Sequence, residues 1–286
     1  MDKISRRNFI KLGGFGLAGA SIPSNLEPEA PITSQKGKAK KTQMKLGMAS
    51  YTFRKFSLKD TLSMTKRLGL KRIAFKSFHL PLESTEAQIK AVAQKVRDAD
   101  LELYGCGVVY MANEEEVHRA FDYAKAAGMK IIIGVPNHEL LGLVDKKVQE
   151  FNIKVAIHNH GPGDKLYPTP ESAYTRIKDL DPRIGLCIDI GHTQRSGIDP
   201  SESAERFADR LIDVHIKDVS SATKEGSTVE IGRGVIDIPK FIRTLLKLNF
   251  SGTAAFEFEK DPDDPLPGVA ESVGYVKGVL AVLLSF

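Results

Sequence analysis

Eight short apolar runs recur about every 30 residues and alternate with helical stripes. Glycines stand where helices should stop, and the patterned segment of some 240 residues is near the ~250 typical of a closed α/β barrel. Together these features predict a single-domain (β/α)8, or TIM, barrel over residues 44–286. Alternation alone also allows a doubly wound open sheet.

The strands are expected at 45–50, 72–76, 102–108, 130–134, 154–158, 184–188, 211–216 and 253–258. Between the second and third, Ile89, Val92, Ala93 and Val96 follow the i, i+3, i+4, i+7 spacing of a half-buried helix. Ser57 stands before Leu58 as an N-cap, and Thr85 with Gln88 forms a capping-box pair. Leu68-Gly69-Leu70 and Ala127-Gly128-Met129 place glycine where a helix ends in the left-handed conformation, which costs a residue with a Cβ more.

The N-terminus has a different character. Arg6-Arg7, then Phe9-Ile10-Lys11, a mildly apolar stretch and Ala18-Gly19-Ala20 resemble a twin-arginine export signal over residues 1–24. A Pro/Ser/Lys-rich linker follows over 25–43, and the expected location is the periplasm. Residues 1–45 hold nine Lys/Arg against three Asp/Glu, so the rest carries 32 basic and 33 acidic groups despite a whole-chain charge of +5. The basic excess is therefore poor support for nucleic-acid binding. No uninterrupted apolar run reaches the roughly 18 residues of a membrane span, so none is expected. Cys106 and Cys187 match no zinc spacing and fall on strands three and six, which points to two buried thiols.

Barrel active sites form at the C-terminal ends of the strands, and the ionisable residues gather there. Strand two ends at Lys76 with His79 following; strand five ends in His158-Asn159-His160, strand six in Asp189-Ile190-Gly191-His192, strand seven in His215-Ile216-Lys217 and strand eight in Glu257-Phe258-Glu259. Alternate side chains share a face. Placing the ionisable set inward turns Ile157, Ile188, Val214, Phe256 and Phe258 toward the helices, whereas the reverse buries charge at several kcal/mol each. His158, Asp189, His215 and Glu257, one from each of four neighbouring strands, then form an N2O2 set suited to one divalent metal: Mn, Zn, Co or Fe. A single strand-end histidine is more often structural, but four of the seven histidines cluster here beside two carboxylates. His118 and His138 read as surface residues.

The segments Ile157-His158-Asn159-His160-Gly161, Asp189-Ile190-Gly191-His192, Val214-His215-Ile216-Lys217-Asp218, Gly232-Arg233-Gly234-Val235-Ile236-Asp237 and Phe256-Glu257-Phe258 resemble the xylose isomerase-like barrel superfamily of sugar isomerases and epimerases. By that resemblance Asp189, His215 and Glu257 match metal ligands. His192 matches a substrate-contacting or additional metal-binding histidine, and Lys217 a substrate-contacting position. Epimerases of the superfamily usually carry glutamate where this chain has His158. The histidine-rich end of strand five is similar to that of inosose dehydratases, and related barrels eliminate or hydrate 3-keto-glycosides.

The implied chemistry is proton removal beside a sugar ketone. His160, His192 and Glu259 are candidate bases, and Lys76 or Lys217 candidate stabilisers of the oxyanion. Lys76 reads equally as a snorkelling edge residue. His79, Arg195 and Arg233 are candidate substrate contacts, with solvent exposure the alternative for the arginines. A lyase or hydratase on a keto-sugar or 3-keto-glycoside leads, a sugar isomerase or epimerase comes second, and a non-catalytic sugar-binding barrel third. Nucleic-acid cleavage, which occurs on this fold, disagrees with the near-neutral barrel. Gly232-Arg233-Gly234 lacks the further glycine and lysine of a phosphate loop and reads as a turn near the site mouth.

Overall fold

The computed structural model describes residues 44–285, so the expected signal and linker lie outside the described residues. Eight parallel strands close into a barrel: β1 Lys45–Ala49, β2 Arg72–Phe75, β3 Glu102–Met111, β4 Ile131–Pro136, β5 Lys154–His158, β6 Ile184–Asp189, β7 Leu211–Ile216 and, after a small antiparallel pair β8 Asp218–Val219 and β9 Thr228–Val229, β10 Thr253–Phe256. Closure joins β1 to β10 in register from Lys45↔Thr253 to Met48↔Phe256, which excludes the open sheet. The helices are α1 Leu58–Arg67, α2 Glu86–Asp98, α3 Glu114–Ala127, α4 Leu141–Phe151, α5 Pro170–Ile177, α6 Ile190–Arg195, α7 Pro200–Arg206, α8 Ile238–Lys247 and α9 Leu266–Leu283.

Local signals act where the sequence places them. Ser57 accepts from the Asp60 amide to start α1, and Thr85 with Gln88 forms the full capping box of α2. Gly69 (φ 67°) and Gly128 (φ 74°) take the left-handed conformation after α1 and α3. Ile157, Ile188, Val214, Phe256 and Phe258 are all buried, as the parity argument requires. Cys106 and Cys187 are buried free thiols.

One reading needs correction. His138 is half-buried, not a surface residue: its Nε2 lies 3.0 Å from the Leu166 carbonyl and its ring packs edge-on against Tyr167. By length and composition α9 is apolar enough to cross a membrane, with mean hydropathy 1.3, although Glu271 and Lys277 interrupt its apolar run. Val269, Val273 and Val276 of that helix are buried, and Lys277 Nζ donates to the Leu68 carbonyl at 2.9 Å.

The Gly232-Arg233-Gly234 turn is organised by Asp218. Its buried carboxylate accepts from the amides of Val219 (2.9 Å), Gly232 (2.9 Å), Gly234 (3.0 Å) and Ile236 (3.2 Å), folding this loop over the end of β7. A Cβ at position 234 would collide with that carboxylate. Asp218→Ala strands four donors, so a loss of about 2–4 kcal/mol is expected. The check is limited proteolysis: cleavage should appear between residues 220 and 236 while the rest of the barrel stays resistant.

Candidate active site

The ends of β5, β6, β7 and β10 bring His158, Asp189, His215 and Glu257 together, with one ligand-type atom from each lying within 4.8 Å of all the others. His158 Nε2 is 3.1 Å from His215 Nδ1 and 3.4 Å from Asp189 Oδ2, and His215 Nδ1 is 3.2 Å from Glu257 Oε2. Atoms each ~2.0–2.2 Å from one ion are about 3–3.5 Å apart, so these separations suit a shared coordination sphere. Asp189 Oδ2, fully buried, accepts no aligned hydrogen bond and is held only by ion pairing. The far ring nitrogens, His158 Nδ1 and His215 Nε2, are likewise buried without partners. Two imidazole nitrogens and two carboxylate oxygens converging in this way fit a divalent cation of the Mn, Zn, Co or Fe type.

Local structure fixes each donor. Asp189 ends β6 and caps α6, accepting the His192 amide at 2.8 Å through Oδ1. Asn159, the residue after β5, holds the Asp189 amide at 3.0 Å and the Thr193 hydroxyl at 3.1 Å. Gly191 lets Lys217 through: a Cβ there would lie 2.5 Å from Lys217 Cγ. The buried Lys217 ammonium sits 2.9 Å from Asp189 Oδ2 and 2.7 Å from Glu257 Oε2, and also binds Glu259.

The charges follow this packing. Burial pushes the His158 imidazole down to about 3. Burial would also lower His215, but Glu257 and Asp189 outweigh it and raise that ring above its ordinary value. Burial opposes charge on Asp189, Glu257 and Lys217. For the carboxylates the neighbouring His and Lys groups prevail and hold them well below the usual range, and for Lys217 the three carboxylates hold the ammonium well above it. His160 and His192 are lowered by burial.

A cavity of about 200 Å³ opens over the cluster. Lys76, His158, His160, His192, Glu257 and Glu259 line it as the sequence suggests, together with Tyr51, Val108 and Tyr110. Lys76 faces the cavity, so it is not merely an edge residue; its Nζ donates to the Val108 carbonyl and lies 5.5 Å from the Tyr110 ring centre. Tyr110 stacks on His160 at 5.6 Å, with its hydroxyl 3.2 Å from His160 Nε2. Sequence reasoning missed Tyr110 because it ended β3 at residue 108, whereas the strand runs to Met111. Tyr51 lies in a short 3-10 turn after β1, and nothing in the pattern marks it.

Arg195 donates to His192 Nδ1 at 3.3 Å and so reaches the site edge. His79 and Arg233 do not line this cavity. His79 is buried, with Nε2 2.9 Å from the Thr61 hydroxyl and Nδ1 3.0 Å from the Ser50 hydroxyl, so its ring ties α1 to the end of β1. Arg233 is exposed and paired with Glu271 through two bonds of 2.5 and 2.7 Å. Accordingly, His79→Ala is expected to cost about 2–4 kcal/mol of stability while metal content and turnover per folded molecule stay unchanged. Chemical denaturation beside elemental analysis and an activity assay checks both halves.

Residues 54–279 match the xylose isomerase-like TIM barrel family. The chain belongs to that family. It is 28% identical to the rhizopine catabolism protein MocC of Rhizobium meliloti over 145 residues, 46% of this chain and 44% of that protein. It is 29% identical to the inosose dehydratase of Geobacillus kaustophilus over 130 residues, 40% of this chain and 42% of that enzyme. The match thus spans less than half the length of each of these relatives. Its barrel superposes on 3-keto-D-glucoside 4-epimerase from E. coli with a TM-score of 0.67 at 15% identity, covering 82% of this chain and 100% of that one, which shows a shared fold.

Proposed function

We propose that this family member is a divalent-metal-dependent lyase or hydratase acting beside the ketone of a keto-sugar or 3-keto-glycoside. The observation that carries the reading is the pairing of His158 in the ligand set with His160 and His192 side by side over it, their ring centres 5.9 Å apart. Inverting a stereocentre needs a base on each face of the substrate. Here the carboxylates Asp189, Glu257 and Glu259 are all engaged with Lys217, and the two imidazoles not in the ligand set, His160 beside Tyr110 and His192 beside Arg195, line one and the same cavity. The partial likeness to an inosose dehydratase supports elimination too.

His158, Asp189, His215 and Glu257 would hold a divalent ion, which would supply positive charge for the substrate carbonyl oxygen. An arginine only donates, so His192 Nδ1 accepts from Arg195 and Nε2 carries the proton. His192 therefore directs an N–H hydrogen bond toward a leaving oxygen, and His160 is the imidazole that accepts the proton from carbon and, as imidazolium, hands it on to that oxygen. The C–H and C–O bonds break, a C=C bond forms beside the ketone, and the departing hydroxyl takes the proton held by His160 and leaves as water, which returns both imidazoles to their neutral form. Lys76 lies on the cavity wall to face the developing oxyanion. The Arg6-Arg7 signal, read as periplasmic export, favours unphosphorylated sugars as substrates.

The test is incubation of metal-loaded protein with a 3-keto-glycoside and with free ketoses in deuterated water. An unsaturated or hydrated product supports the proposal. Stereochemical scrambling with deuterium uptake and no elimination replaces it with the epimerase reading, and metal binding without exchange leaves a binding barrel. A base must be neutral to act, and burial depresses both catalytic imidazoles below the ordinary 6.5. The acid limb of kcat/KM should therefore fall below pH 6.5, with a flat profile from about pH 7 to 8. A histidine limb above pH 7 would contradict these roles.

A further inference from the structure

Beside the cavity over the ligand cluster lies a second one of about 220 Å³, between the ends of β2 and β3, the loop that follows β2 and helix α3. The two are of similar size, and Lys76, Val108 and Tyr110 line both. The second cavity holds no metal-type cluster among the described residues. Its lining is amphipathic: Leu82 and Tyr123 offer apolar surface, while Glu83 and Arg119, paired at 3.5 Å, offer an acceptor and a donor.

The partition between the cavities carries an exposed aromatic ring. Tyr110 is 53% exposed, and Phe78, two residues beyond Lys76, is 56% exposed with its ring 5.9 Å from that of Tyr51. Large aromatic rings facing solvent at the rim of a cleft are surfaces that a ligand covers. A pyranose ring has apolar C–H faces and a hydroxyl edge, so it suits an aromatic rim beside a carboxylate–guanidinium pair.

We infer that the second cavity is a subsite for a second sugar ring, making the preferred substrate a disaccharide-like glycoside that crosses the Lys76–Tyr110 partition. This rests on the sugar reading proposed above. The reacting ring sits over the ligand cluster, the second ring lies between β2 and β3, and the linking oxygen passes Lys76. A free monosaccharide fills only the first cavity.

Calorimetric titration of the full chain tests this without turnover. The probes are unoxidised α- and β-linked disaccharides, each paired with the methyl glycoside of its non-reducing ring. At least one disaccharide should bind about tenfold or more tightly than its methyl glycoside. Ser77 is exposed and lines only the second cavity, so Ser77→Trp should fill that cavity and erase the preference. Arg119→Ala, on the outer wall, should reduce it about three- to tenfold. Equal binding within every pair, no binding of any probe, or a preference that survives both substitutions would overturn the subsite. Disaccharide preference together with no metal-dependent proton exchange would sink the proposed reaction and leave the subsite standing.

Discussion

Asp189→Asn is expected to strip the protein of its metal and to lower turnover at least about 10³-fold, while leaving the barrel folded. The amide has the shape of the carboxylate and keeps an oxygen for the His192 amide, so the start of α6 is preserved. What it loses is one of the two negative charges in the ligand set. Neutral oxygen is a much poorer partner for an ion of the Mn or Zn type, so affinity should fall by about 100-fold or more. Lys217 retains Glu257 and Glu259, so the ammonium is not left unpaired. Elemental analysis of purified wild type and variant, followed by proton exchange on a keto-glycoside, reads both effects. Unchanged metal content with unchanged exchange would show that Asp189 is a structural cap only.

The sequence makes the barrel legible because every level of its pattern agrees. β7 repeats apolar and ionisable residues with period two, and the structure buries both Val214 and His215 while bringing His215 into the ligand cluster as that period demands. The ligand cluster is legible for the same reason: parity says which side chains share a face, and closure says which strands adjoin. Legibility stops where a side chain's fate depends on a contact distant in sequence. His79 looks like another strand-end histidine, yet Ser50 and Thr61 take both of its ring nitrogens. Arg233 sits beside a family-like turn, but Glu271, 38 residues away, captures it. Asp213 lies within β7 below His215, fully buried with its carboxyl raised to about 7 by burial, and no local pattern separates it from the catalytic layer above. Tyr110 was hidden by a strand boundary, the least secure feature of a periodicity reading.

Lys217→Met is expected to make stability depend much more strongly on metal. In the metal-free protein the Lys217 ammonium is the cation that Asp189, Glu257 and Glu259 share, and it is almost wholly buried. Methionine matches its length and apolar stem but leaves the carboxylates facing one another in a low-dielectric site. Removing one member of such a buried ionic group typically costs about 3–5 kcal/mol. A divalent ion held by the neighbouring donors replaces the lost charge, so the metal-free variant should melt far below wild type and recover most of the difference on loading. Wild type, already partly neutralised by lysine, should gain less from the same metal. The measurement is Tm with and without saturating Mn or Zn for both proteins, after exhaustive chelation. A metal-free variant as stable as wild type, or one that metal fails to rescue, would mean that the carboxylates carry no net charge to be balanced, and the ion would then have no electrostatic reason to bind there.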